Sequence, residues 1–296
     1  MSARADGGGK LRPDILEVRE HRRLRLRRRG RRAYIRSVYF LPSMATLGNA
    51  ICGFGAMYVS VHHQFTLGAY LIFLAMVFDA LDGRLARFAR HTTDFGGQLD
   101  SLADVVSFGT APAFLSLLLL LDTYTGVPVI LSRLIFGIGA LFMSCAALRL
   151  ARFNVSNEHG EQHHFSFLGL PSPAAGGTVA AWILMQQWLA RWVEELQSSG
   201  SSPGFVHLLN SLSAGCIFTL PIVVMSTGLL MISEIRYPHL VNRYLRGRRS
   251  IGRLIFVLIG LLFLIVAHQF VIAIGMVAYV LWGACSAVTR FRRVRT

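Results

Sequence analysis

Residues 79–104 read DALDGRLARFARHTTDFGGQLDSLAD and lie between two long apolar runs. Asp79 and Asp82 are spaced i,i+3, so on a helix they share a face. Asp100 and Asp104 are spaced i,i+4 and share a face in the same way. Gly96 and Gly97, between the pairs, permit close backbone approach. Two antiparallel helices built on this stretch aim four carboxylates at one point. Such a group at a membrane boundary repels itself and is costly to desolvate. One or two divalent cations remove both penalties, and an oxygen-only donor set favours Mg2+ or Mn2+ over zinc. Asp94 stands outside both pairs and reads as the N-cap of the second helix.

Outside this stretch the chain stays apolar. Of 296 residues, 53% are hydrophobic and 15% charged, with a mean hydropathy of +0.51. Those values exclude disorder, a disulfide scaffold and an ordinary soluble domain. A membrane-crossing helix needs about 20 apolar residues, and eight such runs are predicted: 39–61, 66–88, 97–121, 130–151, 171–192, 212–234, 251–268 and 270–289. The last two meet at His268-Gln269, where one long span and a re-entrant piece is the other reading. The fold class expected is therefore all-α: a polytopic membrane protein of about eight transmembrane helices, with a polar, metal-containing cavity at the cytoplasmic face.

The basic residues give the orientation. Lys and Arg number 30 against 15 acids, a net charge of +15, and 29 of the 30 are Arg. With eight spans, 28 of them fall on the side shared by the two termini, and only Arg133 and Arg191 on the other. The positive-inside rule then puts both termini, and the Asp cluster, in the cytoplasm. Residues 1–36 carry 13 Lys/Arg and read as a basic extension held against anionic lipid. The basicity is thus assigned to membrane lipids, and nucleic acid is not an expected partner. The division expected is 1–36 as the basic extension, 37–235 as a six-helix core, and 236–296 as two further spans with a basic C-terminus. Cys52, Cys145, Cys216 and Cys285 stand singly in apolar runs, which argues against a disulfide or zinc framework.

The stretch Asp79-x2-Asp82-Gly83-x2-Ala86-Arg87-x8-Gly96-x3-Asp100-x3-Asp104 resembles the full signature of the CDP-alcohol phosphatidyltransferases. That resemblance implies an integral membrane enzyme that moves a phosphatidyl group from a CDP-linked lipid to an alcohol and releases CMP. It implies Asp79, Asp82 and Asp100 as metal ligands, and Asp104 as a ligand of a second metal and the base for the acceptor hydroxyl. Gly83, Arg87 and Thr93 take the places of CDP-lipid contacts. Two Mg2+ or Mn2+ ions and a homodimer are further implications.

Three other stretches bear on the acceptor. LPSMATLGNAICGFGA opens the first span, RLARFN (149–154) ends the fourth, and GLPSPAAGG (169–177) opens the fifth. With DSLADVVSFGTAPA (100–113) they resemble the branch of that family whose acceptor is serine, the CDP-diacylglycerol–serine O-phosphatidyltransferases, over roughly residues 38–235. CDP-diacylglycerol and L-serine are then the expected substrates. Thr46 and Asn49 are polar in an apolar helix and read as cytidine contacts. Arg149 and Arg152, spaced i,i+3 at the Asp-cluster face, read as the pair that holds the serine carboxylate through a guanidinium fork, with Asn154 beside them. The alternatives are a relative using glycerol phosphate, inositol phosphate or choline and, from a different class, a cation transporter. A transporter requires carboxylates near the bilayer midplane, and a prenyl-diphosphate enzyme is disfavoured by the spacing of DALDG.

Overall fold

The computed structural model describes residues 43–89, 94–124, 128–158, 167–200, 202–237 and 268–295. They form seven helical rods. Helix α1 runs Ser43–Val61 within the described residues and α2 runs Phe65–Ala89. The third rod is continuous but not uniform: α3 (Asp94–Asp104) passes through a π-helical segment, Val105–Thr110, into α4 (Ala111–Thr123). Then come α5 (Val129–Glu158), α6 (Ser172–Ser198), α7 (Pro203–Ile232) and α8 (His268–Arg295). Two short strands, β1 (Phe167–Leu168) and β2 (Arg236–Tyr237), pair antiparallel and tie the entry of α6 to the exit of α7.

Five rods are long and apolar enough to cross a membrane: Ser43–Val61, Phe65–Arg84, Phe95–Thr123, Val129–Val155 and Pro203–Ile232. Their outward residues are large and apolar, with Ile51, Phe54, Phe136, Phe218 and Ile222 all exposed, a surface that suits lipid and not water. Three of the eight expected spans are not among these five. The run 251–268 lies outside the described residues except for His268, which begins α8. Helix α8 runs His268–Arg295 and so contains the expected run 270–289; its part with described side chains, His268–Gly283, is apolar. Helix α6 is too polar by composition, carrying Gln186, Gln187, Arg191, Glu194 and Glu195. The physical reason is its position. Helices α2, α7 and α8 all pack on it, and Gln186 is buried, its Nε2 donating to Ser213 Oγ at 3.5 Å.

Lipid tails are as apolar as leucine, so packing and small residues hold such helices together more than hydrophobic transfer does. Small side chains accordingly line the contacts: Ala56, Ala69, Ala75, Ala111, Ala146, Ala175 and Ala180 are all fully buried. A Cβ on Gly176 would lie 3.0 Å from the Cα of Phe108, so glycine here seats α6 against the π segment. Pro171 caps α6, and Pro173 falls in its first turn, where a missing N–H costs nothing. Just before it, Gly169 has φ +85°, and a Cβ there would overlap the Met231 carbonyl. Its N–H donates to Ile235 O at 2.9 Å and that of Leu170 to Leu230 O at 2.9 Å, which locks the α6 entry onto the end of α7.

The α1–α2 turn lies at the opposite end of the bundle from Asp79, Asp82, Asp100 and Asp104. His63, exposed there, has φ +58° and its Nδ1 stands 3.0 Å from Asp122 Oδ1. Two local expectations need correction. Gly97 makes no close backbone approach to the described residues, since a Cβ on it would meet none of their atoms within 4 Å. Helix α3 already includes Asp94, so that residue is within the first turn and not ahead of it.

Candidate active site

The C-terminal part of α2 and the α3 rod bring the acidic residues together at one end of the bundle. Asp79, Asp82 and Asp100 each offer one carboxylate oxygen, and the three lie within 4.8 Å of one another. Asp82 is buried, with Asp79 and Asp100 half-buried. Asp104, one turn deeper along α3, is outside that trio and only 7% exposed. The i,i+3 and i,i+4 spacings thus produce the convergence expected of them, but as three plus one.

The donor set suits a divalent ion. It is made of carboxylate oxygens alone, the chemistry that hard cations prefer. Asp100 Oδ1 is buried and has no hydrogen-bond partner among the described residues. A buried acceptor left unmatched costs about 1–3 kcal/mol, a penalty that a bound cation removes.

Helix α1 supplies the hydrogen-bond donors. Thr46 Oγ1 donates to Asp82 Oδ2 at 2.6 Å, and Asn49 Nδ2 donates to Asp104 Oδ1 at 3.0 Å. Both side chains are buried. The two residues expected to meet cytidine therefore turn to the carboxylates. Gly83 differs: among the described residues, a Cβ built on it meets no atom within 4 Å. The side chain of Arg87 and the whole of Thr93 lie outside the described residues.

Helix α5 closes the other side, and it separates the two arginines. Arg149 Nη1 donates to Ser172 Oγ at 2.7 Å, and its guanidinium lies within electrostatic reach of Asp104, Tyr279 and Asp79. Its Nε is buried and has no hydrogen-bond partner among the described residues. Arg152 turns to the rim, where its side chain is 56% exposed and Nη2 stands 3.9 Å from Glu234 Oε1, itself 83% exposed. An exposed pair at that distance contributes about 0–1 kcal/mol. Asn154 accepts through Oδ1 from Ser101 Oγ at 3.1 Å and so ties α5 to α3.

Ser172, which is fully buried, and Tyr279 of α8 stand out only in the structure. Ser172 lies inside GLPSPAAGG, but nothing in that stretch names Arg149 as its partner. Ser107, also fully buried, donates to the Asn49 carbonyl at 2.8 Å. Its spacing of three from Asp104 was the available signal.

Fold and site together define a helical, multi-pass membrane protein whose carboxylates converge between helix ends, with one arginine turned toward them. The family model described as CDP-alcohol phosphatidyltransferase matches residues 39–199, more than half of the chain. The chain belongs to the CDP-alcohol phosphatidyltransferase family. It is 31% identical over 252 residues to the CDP-diacylglycerol–serine O-phosphatidyltransferase of Helicobacter pylori, covering 84% of this chain and 91% of that protein. It is 35% identical over 209 residues to the protein of the same description from Methanocaldococcus jannaschii, covering 71% and 79%. The archaetidylserine synthase of Methanothermobacter thermautotrophicus is 30% identical over 207 residues, covering 69% and 72%.

Proposed function

We propose that this protein transfers the phosphatidyl group of CDP-diacylglycerol to the hydroxyl of L-serine, giving phosphatidylserine and CMP. The observation that carries this is the carboxylate constellation of Asp79, Asp82, Asp100 and Asp104 with Arg149 beside it, in a chain whose curated relatives bear that activity in their names.

The serine oxygen forms a P–O bond at the lipid-side phosphorus. The bond from that phosphorus to the bridging oxygen breaks, and CMP leaves. The proton of the serine hydroxyl passes to a carboxylate oxygen of Asp104. Asp79, Asp82 and Asp100, with Asp104 toward a second ion, would hold divalent cations, which would supply charge neutralisation at the pyrophosphate. Mg2+ and Mn2+ suit the oxygen donors. Thr46 orients Asp82, and Asn49 orients Asp104. Gly83, lacking a side chain, suits close approach of the nucleotide, with Arg87 and Thr93 as further CDP-lipid contacts by resemblance.

Arg149 reads the serine carboxylate. It is turned inward, and its Nε offers a hydrogen that nothing in the described residues accepts. Arg152 contributes at the rim, and Asn154 acts by holding α5 against α3. The distribution of basic residues supports eight spans, both termini in the cytoplasm and a site opening to that face. It also supports the division into a basic extension (1–36), a catalytic core (37–235) and a two-span C-terminal part (236–296). A homodimer is supported by the family resemblance.

The test is CMP release by the purified protein with CDP-diacylglycerol, Mn2+ or Mg2+ and a set of acceptors. L-serine is expected to exceed ethanolamine, glycerol 3-phosphate and inositol phosphate by at least about 100-fold, as expected when a missing carboxylate leaves a buried guanidinium unpaired. Equal CMP release with ethanolamine would overturn the serine assignment.

A further inference from the structure

Ser107 has no part in the chemistry above, yet its hydroxyl is aimed at the residue that holds Asp104. Ser107 Oγ donates to the main-chain carbonyl of Asn49 at 2.8 Å. The side-chain amide of Asn49 donates to Asp104 Oδ1 at 3.0 Å. Asn49 and Ser107 are both 0% exposed. One residue of α1 is thus gripped at two points by the rod that carries Asp104, by its backbone and by its side chain. Asn49 Oδ1 has no partner among the described residues, so the grip on Asp104 runs through Nδ2 alone.

The local backbone is unusual at this point. The rod turns π-helical at Val105, immediately after Asp104, and Thr110 Oγ1 donates to Val105 O at 3.1 Å within that segment. Single π-helical turns inside α-helices often mark functional sites. On the facing helix, a Cβ at Gly53, one turn beyond Asn49, would fall 2.6 Å from both Cα and Oγ of Ser107. Only glycine at 53 lets α1 come close enough for Ser107 to reach the Asn49 carbonyl.

We propose that Ser107 is a positioning residue for Asp104, acting through Asn49, so that the π segment and Gly53 together fix the carboxylate in one orientation. Being wholly buried, Ser107 cannot touch a substrate and acts only by holding Asn49. This rests on the reading of Asp104 as the group that receives the acceptor proton.

The test is a double-mutant cycle of Ser107→Ala and Asn49→Ala in the full chain. CMP release is measured alongside calorimetric binding of CDP-diacylglycerol and Mn2+ binding followed by electron paramagnetic resonance. Ser107→Ala is expected to lower kcat about fivefold, the worth of one neutral hydrogen bond. KM for both substrates and CDP-diacylglycerol affinity should stay within about twofold, and the same change in the Asn49→Ala background should do nothing further. Equal losses in both backgrounds would mean that Ser107 only packs, and a raised KM for CDP-diacylglycerol would mean a substrate contact. Either result overturns the proposal. If the wild type prefers another acceptor, the cycle is run with that acceptor and the clamp is judged separately from the serine assignment. If the wild type turns over no acceptor, Mn2+ affinity decides. A loss in Asn49→Ala that Ser107→Ala partly reproduces supports the clamp, and unchanged affinity in both variants overturns it.

Discussion

Asp79, Asp82 and Asp100 meet within 4.8 Å, so each is expected to be needed for the ion and not for the fold. Asp79→Asn and Asp100→Asn should each cut CMP release by at least about 1,000-fold, because pyrophosphate charge is then uncompensated. Their elution volume and melting temperature should match the wild type. Retained turnover in either variant, or by the wild type in excess chelator, would contradict the metal reading. The two arginines make a sharper comparison. Arg149→Lys keeps the charge but loses the fork, so KM for serine should rise by about 10- to 100-fold, equivalent to about 1.4–3 kcal/mol. CDP-diacylglycerol binding should hold. Arg152→Lys should change KM by less than about twofold, since its pair with Glu234 is long and exposed. The four aspartates were legible because their spacing is local and a helix turns spacing into direction. Their partners were not. The bonds Thr46–Asp82, Asn49–Asp104 and Arg149–Ser172 join residues 36, 55 and 23 positions apart, and no local pattern encodes which polar side chain will meet which.

At the scale of elements, α6 shows where sequence patterning stops. Its run of small and apolar residues marks a helix, and Pro171 and Pro173 mark its start correctly. Its glutamines and charges lower its hydropathy below that of its neighbours, because a helix surrounded by other helices meets protein and not lipid. Polar residues inside a bundle find partners there, as Gln186 finds Ser213 and Gln187. The π segment is equally hidden: VVSFGT has no composition that separates it from α-helix. The tight α6 contact gives a stability prediction. Gly176→Val would drive side-chain atoms into Phe108 and Pro112, where even a Cβ already lies at 3.0 and 3.1 Å. Overpacking of this kind costs about 1–3 kcal/mol, so a clear drop in melting temperature in detergent is expected. Gly97→Ala, where a Cβ would meet no atom of the described residues within 4 Å, should melt with the wild type. Equal melting of Gly176→Val and wild type would show that α6 does not seat on the π segment.

At the scale of the whole molecule, the described polar groups sort to the two ends of the bundle. The Asp cluster, Arg149 and the α6 entry share one end of the bundle, and the His63–Asp122 pair lies at the other. The extension of residues 1–36 lies outside the described residues, and its 13 Lys/Arg set its expected behaviour. Removal of residues 1–33 should leave kcat with soluble mixed micelles within about twofold. It should weaken binding to anionic vesicles, with a salt-dependent loss of about 1 kcal/mol per basic residue near the surface. Flotation with neutral and anionic liposomes across a salt series would measure this. Loss of activity in every lipid would make the extension part of the catalytic fold. The most direct test of the account as a whole is product stoichiometry in one reaction: purified protein, CDP-diacylglycerol, Mn2+ and isotopically labelled L-serine, with lipid and nucleotide products quantified together by mass spectrometry. The prediction is labelled phosphatidylserine and CMP in a one-to-one ratio, both absent in Asp100→Asn. CMP accompanied by phosphatidic acid in place of phosphatidylserine, or equal product from Asp100→Asn, would contradict it.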